Sequence, residues 1–108
     1  MAKQAGIDPD LRDLAEVDRV VHEPARLMIL MVLYGVESAD FTFLLNATEL
    51  TWGNLSSHVT KLEEAEYVKV EKSFVGKKPR TMVQLTDTGR RAIDSYRQTM
   101  QGAMRRLG

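Results

Sequence analysis

The sequence predicts a mainly α-helical domain with one small β-hairpin, and three observations carry that expectation. Leu55, Val59 and Leu62 stand at i, i+4 and i+7, the spacing of a single helix face. Tyr67–Lys72 and Thr81–Leu85 instead alternate with period two, which favours strands. Between them Ser73-Phe-Val-Gly-Lys-Lys-Pro-Arg80 holds Gly, Pro and three cations, a basic turn joining the two strands.

The other elements follow in chain order. Asp10–Val21 reads as a first helix, with Asp8 or Asp10 as its cap and Pro9 near its start. Its Leu11, Leu14, Val17 and Val21 recur at helical spacing, and His22-Glu23 then breaks the pattern. Pro24 suits the first turn of a second helix, whose Leu27, Leu30 and Leu33, with Ile29 beside them, form a core face. That helix runs to Leu33 or Tyr34 and stops at Gly35. Val36–Asp40 is a connection in which Ser38 or Asp40 is placed to cap. Phe41 to Asn46 or Thr48 makes a short helix, and Thr51 caps the next, from Trp52 to Ala65. After the hairpin, Thr86 caps a last helix from Asp87 to about Arg106.

Composition narrows the function. A chain of 108 residues buries a real core without staples, and its 44% hydrophobic content is that of a globular domain. Cysteine is absent, so neither a disulfide framework nor a thiolate metal site forms. The longest apolar run, Leu27–Tyr34, is too short to span a membrane, and residues 1–10 lack the apolar region of a signal peptide. A cytoplasmic protein without membrane association is expected. His22 and His58 are far apart and lack the partners of a metal site; no Gly-rich phosphate loop or nucleophile elbow occurs. The expectation is therefore no enzyme and no cofactor.

Net charge is zero, but it is unevenly spread. Residues 1–48 hold four cations against eight acids, and residues 49–108 hold eleven against seven. Local positive surface, not the total, attracts phosphate. The basic half contains the Trp52–Ala65 helix, whose outer face carries Asn54, Ser57, Thr60 and Lys61. An ordinary solvated helix more often mixes Glu and Lys there. Short hydrogen-bonding side chains with one cation suit a helix lying in the major groove of DNA.

The span from His22 to Ile93 resembles the winged helix-turn-helix domain of bacterial and archaeal MarR/ArsR-like transcription regulators. The likeness rests on Pro24-Ala-Arg-Leu-Met-Ile-Leu30, Leu55-Ser-Ser-His58, Leu62-Glu-Glu-Ala65, Tyr67-Val68 and Leu85-Thr-Asp-Thr-Gly89, in the family's order and spacing. It implies a single domain over 1–108: an N-terminal helix (1–21), a winged-helix core (22–86) and a C-terminal dimerisation helix (87–108). It also implies a regulator that binds double-stranded DNA sequence-specifically as a homodimer. The alternative is a winged-helix protein–protein interaction module, or a general transcription accessory factor without sequence readout. One departure stands out: where related regulators usually have Gly after Leu-Glu-Glu-Ala, this chain has Glu66.

The expected DNA-facing set is Thr51, Trp52, Asn54, Ser56, Ser57, His58 and Lys61 on the helix, with Lys77, Lys78 and Arg80 on the wing. His58, about 60° from the apolar stripe, is read as a DNA contact, matching the family's Ser-His pair; a hydrogen bond within the protein is the alternative. Asn54 is read as a base contact or a capping residue, and Trp52 as packing on the preceding helix or stacking on the DNA backbone. Glu63 and Glu64 are expected to pair with neighbouring cations. Along the last helix Ile93, Tyr96, Met100, Ala103 and Leu107 step by three and four, a heptad-like seam. With Leu11 and Leu14 they are read as a dimer interface, the alternative being that the terminal helices pack within one chain. No polar cluster marks a small-molecule effector site.

Overall fold

The computed structural model describes residues 9–108, which form α1 (Pro9–Ala15), α2 (Pro24–Val36), β1 (Ser38–Asp40), α3 (Phe41–Thr48), α4 (Trp52–Glu64), β2 (Val68–Val75), β3 (Lys78–Leu85) and α5 (Asp87–Met104). A 3-10 turn, Arg105–Leu107, ends the chain. Four helices begin where an oxygen-bearing side chain takes up a backbone N–H: Glu23 from Arg26, Asp40 from Phe43, Thr51 from Asn54 and Thr86 from Gly89. Each such cap stabilises its helix by about 1 kcal/mol. The antiparallel sheet has the order β1-β3-β2, with Ala39 opposite Val83 and Val70 opposite the same residue on the other side.

Four sequence expectations need correction. The first helix ends at Ala15, not Val21. Asp18 Oδ1 accepts the N–H groups of Val20 and Val21 at 2.9 and 3.3 Å, turning the chain so that Val21 enters the core. The cap expected at Asp8 lies outside the described residues. The second helix does not stop at Gly35 but runs to Val36, and Glu37 takes the left-handed conformation instead, at φ 70°. The segment from Val36 to Asp40 is more than a connection, because Ser38–Asp40 adds a third strand while Asp40 still caps α3. The hairpin is longer than its patterning suggests: the turn narrows to Gly76 and Lys77, and Ser73–Val75 and Lys78–Arg80 are strand. Both faces of that outer segment are exposed, so no apolar alternation marks it. Gly76, at φ 65°, makes the tight reversal accessible.

The core is one cluster. Ile29, Leu30 and Leu33 of α2 meet Leu44 of α3, Leu55, Val59 and Leu62 of α4, Val68 and Val83 of the sheet, and Ile93 of α5. The three buried residues of α4 are the stripe read from sequence, so the opposite face of that helix is fixed toward solvent.

Glu66 supplies a test of how α4 ends. Its φ is 66°, and the N–H groups of Glu66 and Tyr67 reach back to the carbonyls of Glu63 and Leu62, each at 2.9 Å. This is the paired 5→2 and 6→1 closure in which glycine is favoured. A left-handed non-glycine residue costs on the order of 1 kcal/mol. Glu66→Gly is therefore expected to be neutral or stabilising by up to about 1 kcal/mol. Thermal denaturation checks it; a clear loss would mean that the carboxylate makes a contact the fold needs.

Candidate nucleic-acid interface

The turn joining α3 to α4 is built from its own polar groups. Thr48, buried at the end of α3, donates its hydroxyl to the Leu44 carbonyl at 2.7 Å and accepts the Leu50 N–H at 3.4 Å. Glu49 follows at φ 58°. The chain thereby reverses within three residues to Thr51, whose Oγ1 accepts the Asn54 N–H at 3.1 Å. The capping oxygen is thus that of Thr51, and the Asn54 side chain stays on the exposed face.

Asn54, Ser56, Ser57, Thr60 and Lys61 are all exposed on α4. Thr60 bends back to donate to the Ser56 carbonyl at 2.9 Å. Trp52 is 62% exposed, and its ring lies 4.8 Å from that of Phe41, tilted by 56°. It thus both packs on α3 and leaves most of its surface open. Glu63 and Glu64 are exposed without any ion pair among the described residues, contrary to expectation.

His58 is placed differently from its neighbours. Its side chain is 21% exposed, and Nδ1 lies 3.1 Å from Arg26 Nη1 of α2. Glu23 Oε1 is 3.9 Å from the same nitrogen. The hydrogen bond from the Arg26 backbone N–H holds the Glu23 carboxyl below its ordinary range; burial opposes this, and the nearby Arg26 charge adds to it. Arg26 is not part of the DNA-facing set expected from the sequence. A signal existed: a cation in the first turn of a helix opposes the macrodipole, which points to a specific partner.

The hairpin projects Lys77, Lys78 and Arg80 into solvent, and none of them forms an ion pair among the described residues. Lys72 on the same ribbon is equally open, and Phe74 is 73% exposed. Unpaired cations of this kind are ready to replace the counterions of a phosphate backbone.

The C-terminal stripe divides in two. Ile93, expected at a dimer interface, is 9% exposed and belongs to the core of its own chain. Tyr96 is half-buried, its Oη 2.9 Å from His22 Nδ1. Met100 and Ala103 are half-buried, and Leu107 is 82% exposed. Within the chain α1 lies on α5, and Asp10 sits where a Cβ at Gly102 would come within 3.1 Å of its Oδ1. Leu14 is half-buried there and Leu11 remains exposed. Between α2 and α5 runs an open apolar groove of about 400 Å³, lined by Leu27, Met31, Tyr34, Tyr96, Met100 and Met104 among others.

Among the described residues no helix is long and apolar enough to cross a membrane. A family model described as a winged helix DNA-binding domain matches residues 25–104. An uncharacterized protein of Methanocaldococcus jannaschii is 36% identical over 78 residues, which cover 72% of this chain and 85% of the relative. A transcriptional regulator homologue from Pyrococcus horikoshii OT3 has a similar structure, with a TM-score of 0.72 at 32% identity, covering 85% of this chain and 97% of that one. The YusO protein of Bacillus subtilis shares the fold, with a TM-score of 0.70 at 17% identity, over 91% of this chain and 67% of its own. So does AbfR, solved in an overoxidized form bound to DNA, with a TM-score of 0.70 at 16% identity over 87% of this chain and 66% of that one.

Proposed function

The chain belongs to the winged helix DNA-binding domain family, and from that premise we propose that it is a homodimeric transcriptional regulator that reads double-stranded DNA sequence-specifically. The observation that carries the reading is the outer face of α4, where Asn54, Ser57 and Lys61 are exposed beside a wing of unpaired cations. Asn is able to read adenine bidentately, and Ser reads several bases. In this reading α4 enters the major groove with Asn54, Ser57, His58 and Lys61, and Lys77, Lys78 and Arg80 grip the adjacent backbone. Two copies related by a twofold axis address half-sites about one helical turn apart, or a multiple of it.

Two kinds of substitution separate base readout from charge. Asn54→Ala or Ser57→Ala is expected to flatten the preference among sequences, by about 1–3 kcal/mol at the base pair affected. Lys77→Ala or Lys78→Ala is expected to weaken binding to every duplex alike and to lower the salt slope by about one unit per lost phosphate contact. Titration of the four variants against a selected duplex and a scrambled one, at several salt concentrations, checks both. Wing variants that changed the sequence preference, with helix variants that did not, would reverse the roles. An unaltered chain with no preference among duplexes would favour the accessory-factor alternative, for which the exposed Phe74 of the wing is the supporting feature.

A further inference from the structure

The Arg26 guanidinium is held in one orientation. Its Nε donates to the Val20 carbonyl at 2.7 Å and its Nη2 to the Arg19 carbonyl at 3.3 Å, both in the segment between α1 and α2. That leaves Nη1 directed at His58 Nδ1 across 3.1 Å. Arginine stays protonated and has no acceptor, so in this contact it only donates. Nδ1 must then offer its lone pair, and the hydrogen of the neutral ring resides on Nε2. Glu23 does not compete for a proton on Nδ1: its Oε1 stands 3.9 Å away, beyond hydrogen-bond reach, and is taken at 2.8 Å by the Arg26 backbone N–H.

We infer that Arg26 is a positioning residue of the DNA-reading surface, fixing His58 as the neutral Nε2–H tautomer so that α4 presents a hydrogen-bond donor there. Such a donor is addressed to an oxygen or nitrogen acceptor on DNA, either a phosphate oxygen or a base edge. The DNA part rests on the reading of α4 as the recognition helix; the tautomer does not. The three side-chain bonds also account for a cation in the first turn of α2, where the helix dipole disfavours one.

The tautomer is read directly by nitrogen NMR of the histidine ring in ¹⁵N-labelled His22→Gln protein, in which His58 is the remaining histidine. The expected spectrum at neutral pH shows a bare, acceptor-type Nδ1 and a protonated Nε2, and Arg26→Met shifts it toward a tautomer mixture. In duplex titrations Arg26→Met and His58→Ala each weaken binding about threefold to tenfold, the worth of one hydrogen bond. The double variant loses no more than His58→Ala alone, because Arg26 acts through the ring. His58→Gln, which places an amide donor near the position of Nε2, retains most of the affinity. A loss confined to one base pair assigns the acceptor to a base edge, and a uniform loss assigns it to phosphate.

A protonated Nδ1 in the free protein overturns the inference, and so do additive losses with a salt slope lowered by about one unit, which would make Arg26 a direct phosphate ligand. The His22→Gln spectrum requires no Arg26 variant, so it decides the tautomer even where Arg26→Met unfolds. An unaltered chain that binds no duplex refutes the proposed function and the DNA part together. Tight duplex binding with the hydrogen on Nδ1 refutes this inference alone.

Discussion

Gly89→Ala is expected to destabilise the domain by about 2–3 kcal/mol, although alanine is the better helix former by about 1 kcal/mol. Gly89 lies in the first turn of α5, directly against Tyr67 in the turn that leaves α4 and Leu85 at the end of β3. A Cβ built there falls on the Tyr67 carbonyl oxygen and within 2.9 Å of Leu85 Cδ1. Neither neighbour yields easily. The Tyr67 carbonyl accepts the Thr86 N–H at 3.1 Å, and Thr86 Oγ1 donates to the Glu66 carbonyl at 2.7 Å while accepting the Gly89 N–H at 2.9 Å. The start of α5 is thereby pinned onto the turn that leaves α4. Tyr67 is held from the other side by Asp18, to which its phenol donates; burial and that bond push its pKa up to about 12. Gly53, in the first turn of α4, makes the contrast. A Cβ there meets nothing within 4 Å, so Gly53→Ala should stabilise by up to about 1 kcal/mol. Thermal denaturation reads both signs. For a domain of this size the loss at Gly89 corresponds to a melting point lower by roughly 8–20 °C. A Gly89→Ala protein as stable as the unaltered chain would mean that α5 does not pack on Tyr67 in this way.

The same pair of glycines shows what the sequence makes legible. Gly89 closes the motif Leu85-Thr-Asp-Thr-Gly89, so its importance is visible in the resemblance, but the carbonyl it must clear lies in another part of the chain. Local periodicity reveals what local packing determines. The Leu55, Val59 and Leu62 stripe and the Thr51 and Thr86 caps follow from spacing and capping chemistry alone. Residue 66 is marked only by the resemblance, which has Gly there, and the structure shows that Glu66 accepts the left-handed conformation. After the first helix Asp18 turns the chain through two backbone bonds that no apolar pattern announces, and β1, three residues long, is too short to show alternation. Within the candidate site, the exposed polar face of α4 follows from the same stripe. The partner of His58 does not, because Arg26 comes 32 residues earlier and meets it only once α2 and α4 have packed. Ile93 illustrates a further limit. Its place in the spacing of Tyr96 and Met100 is the same whether the residue packs on its own chain or on another.

What remains of that seam beyond Ile93 leads to the largest expected effect on function. Tyr96 and Met100 are half-buried, and Met31, Met104 and Leu107 are exposed around one open apolar groove and its end. Against a second copy, each large side chain fully removed from water would contribute roughly 1.5–3 kcal/mol. The groove lies on α2 and α5, outside the Asn54, Ser57 and Lys61 face of α4, so a twofold pairing there leaves both recognition helices free to meet DNA. Met100→Glu places a carboxylate on that surface. In a monomer the charge stays hydrated, and the fold survives because Met100 is not among the buried core residues. In a dimer it would be desolvated without a guaranteed partner, at a cost of several kcal/mol. The variant is therefore expected to be a folded monomer whose DNA affinity falls by about 10²–10⁴, since one half-site lacks the effective concentration that a linked second module supplies. Circular dichroism reports the fold, sedimentation the mass and titration the affinity. An unaltered chain that sediments as a monomer at micromolar concentration yet binds its duplex tightly would sink the dimer and leave the winged helix in place.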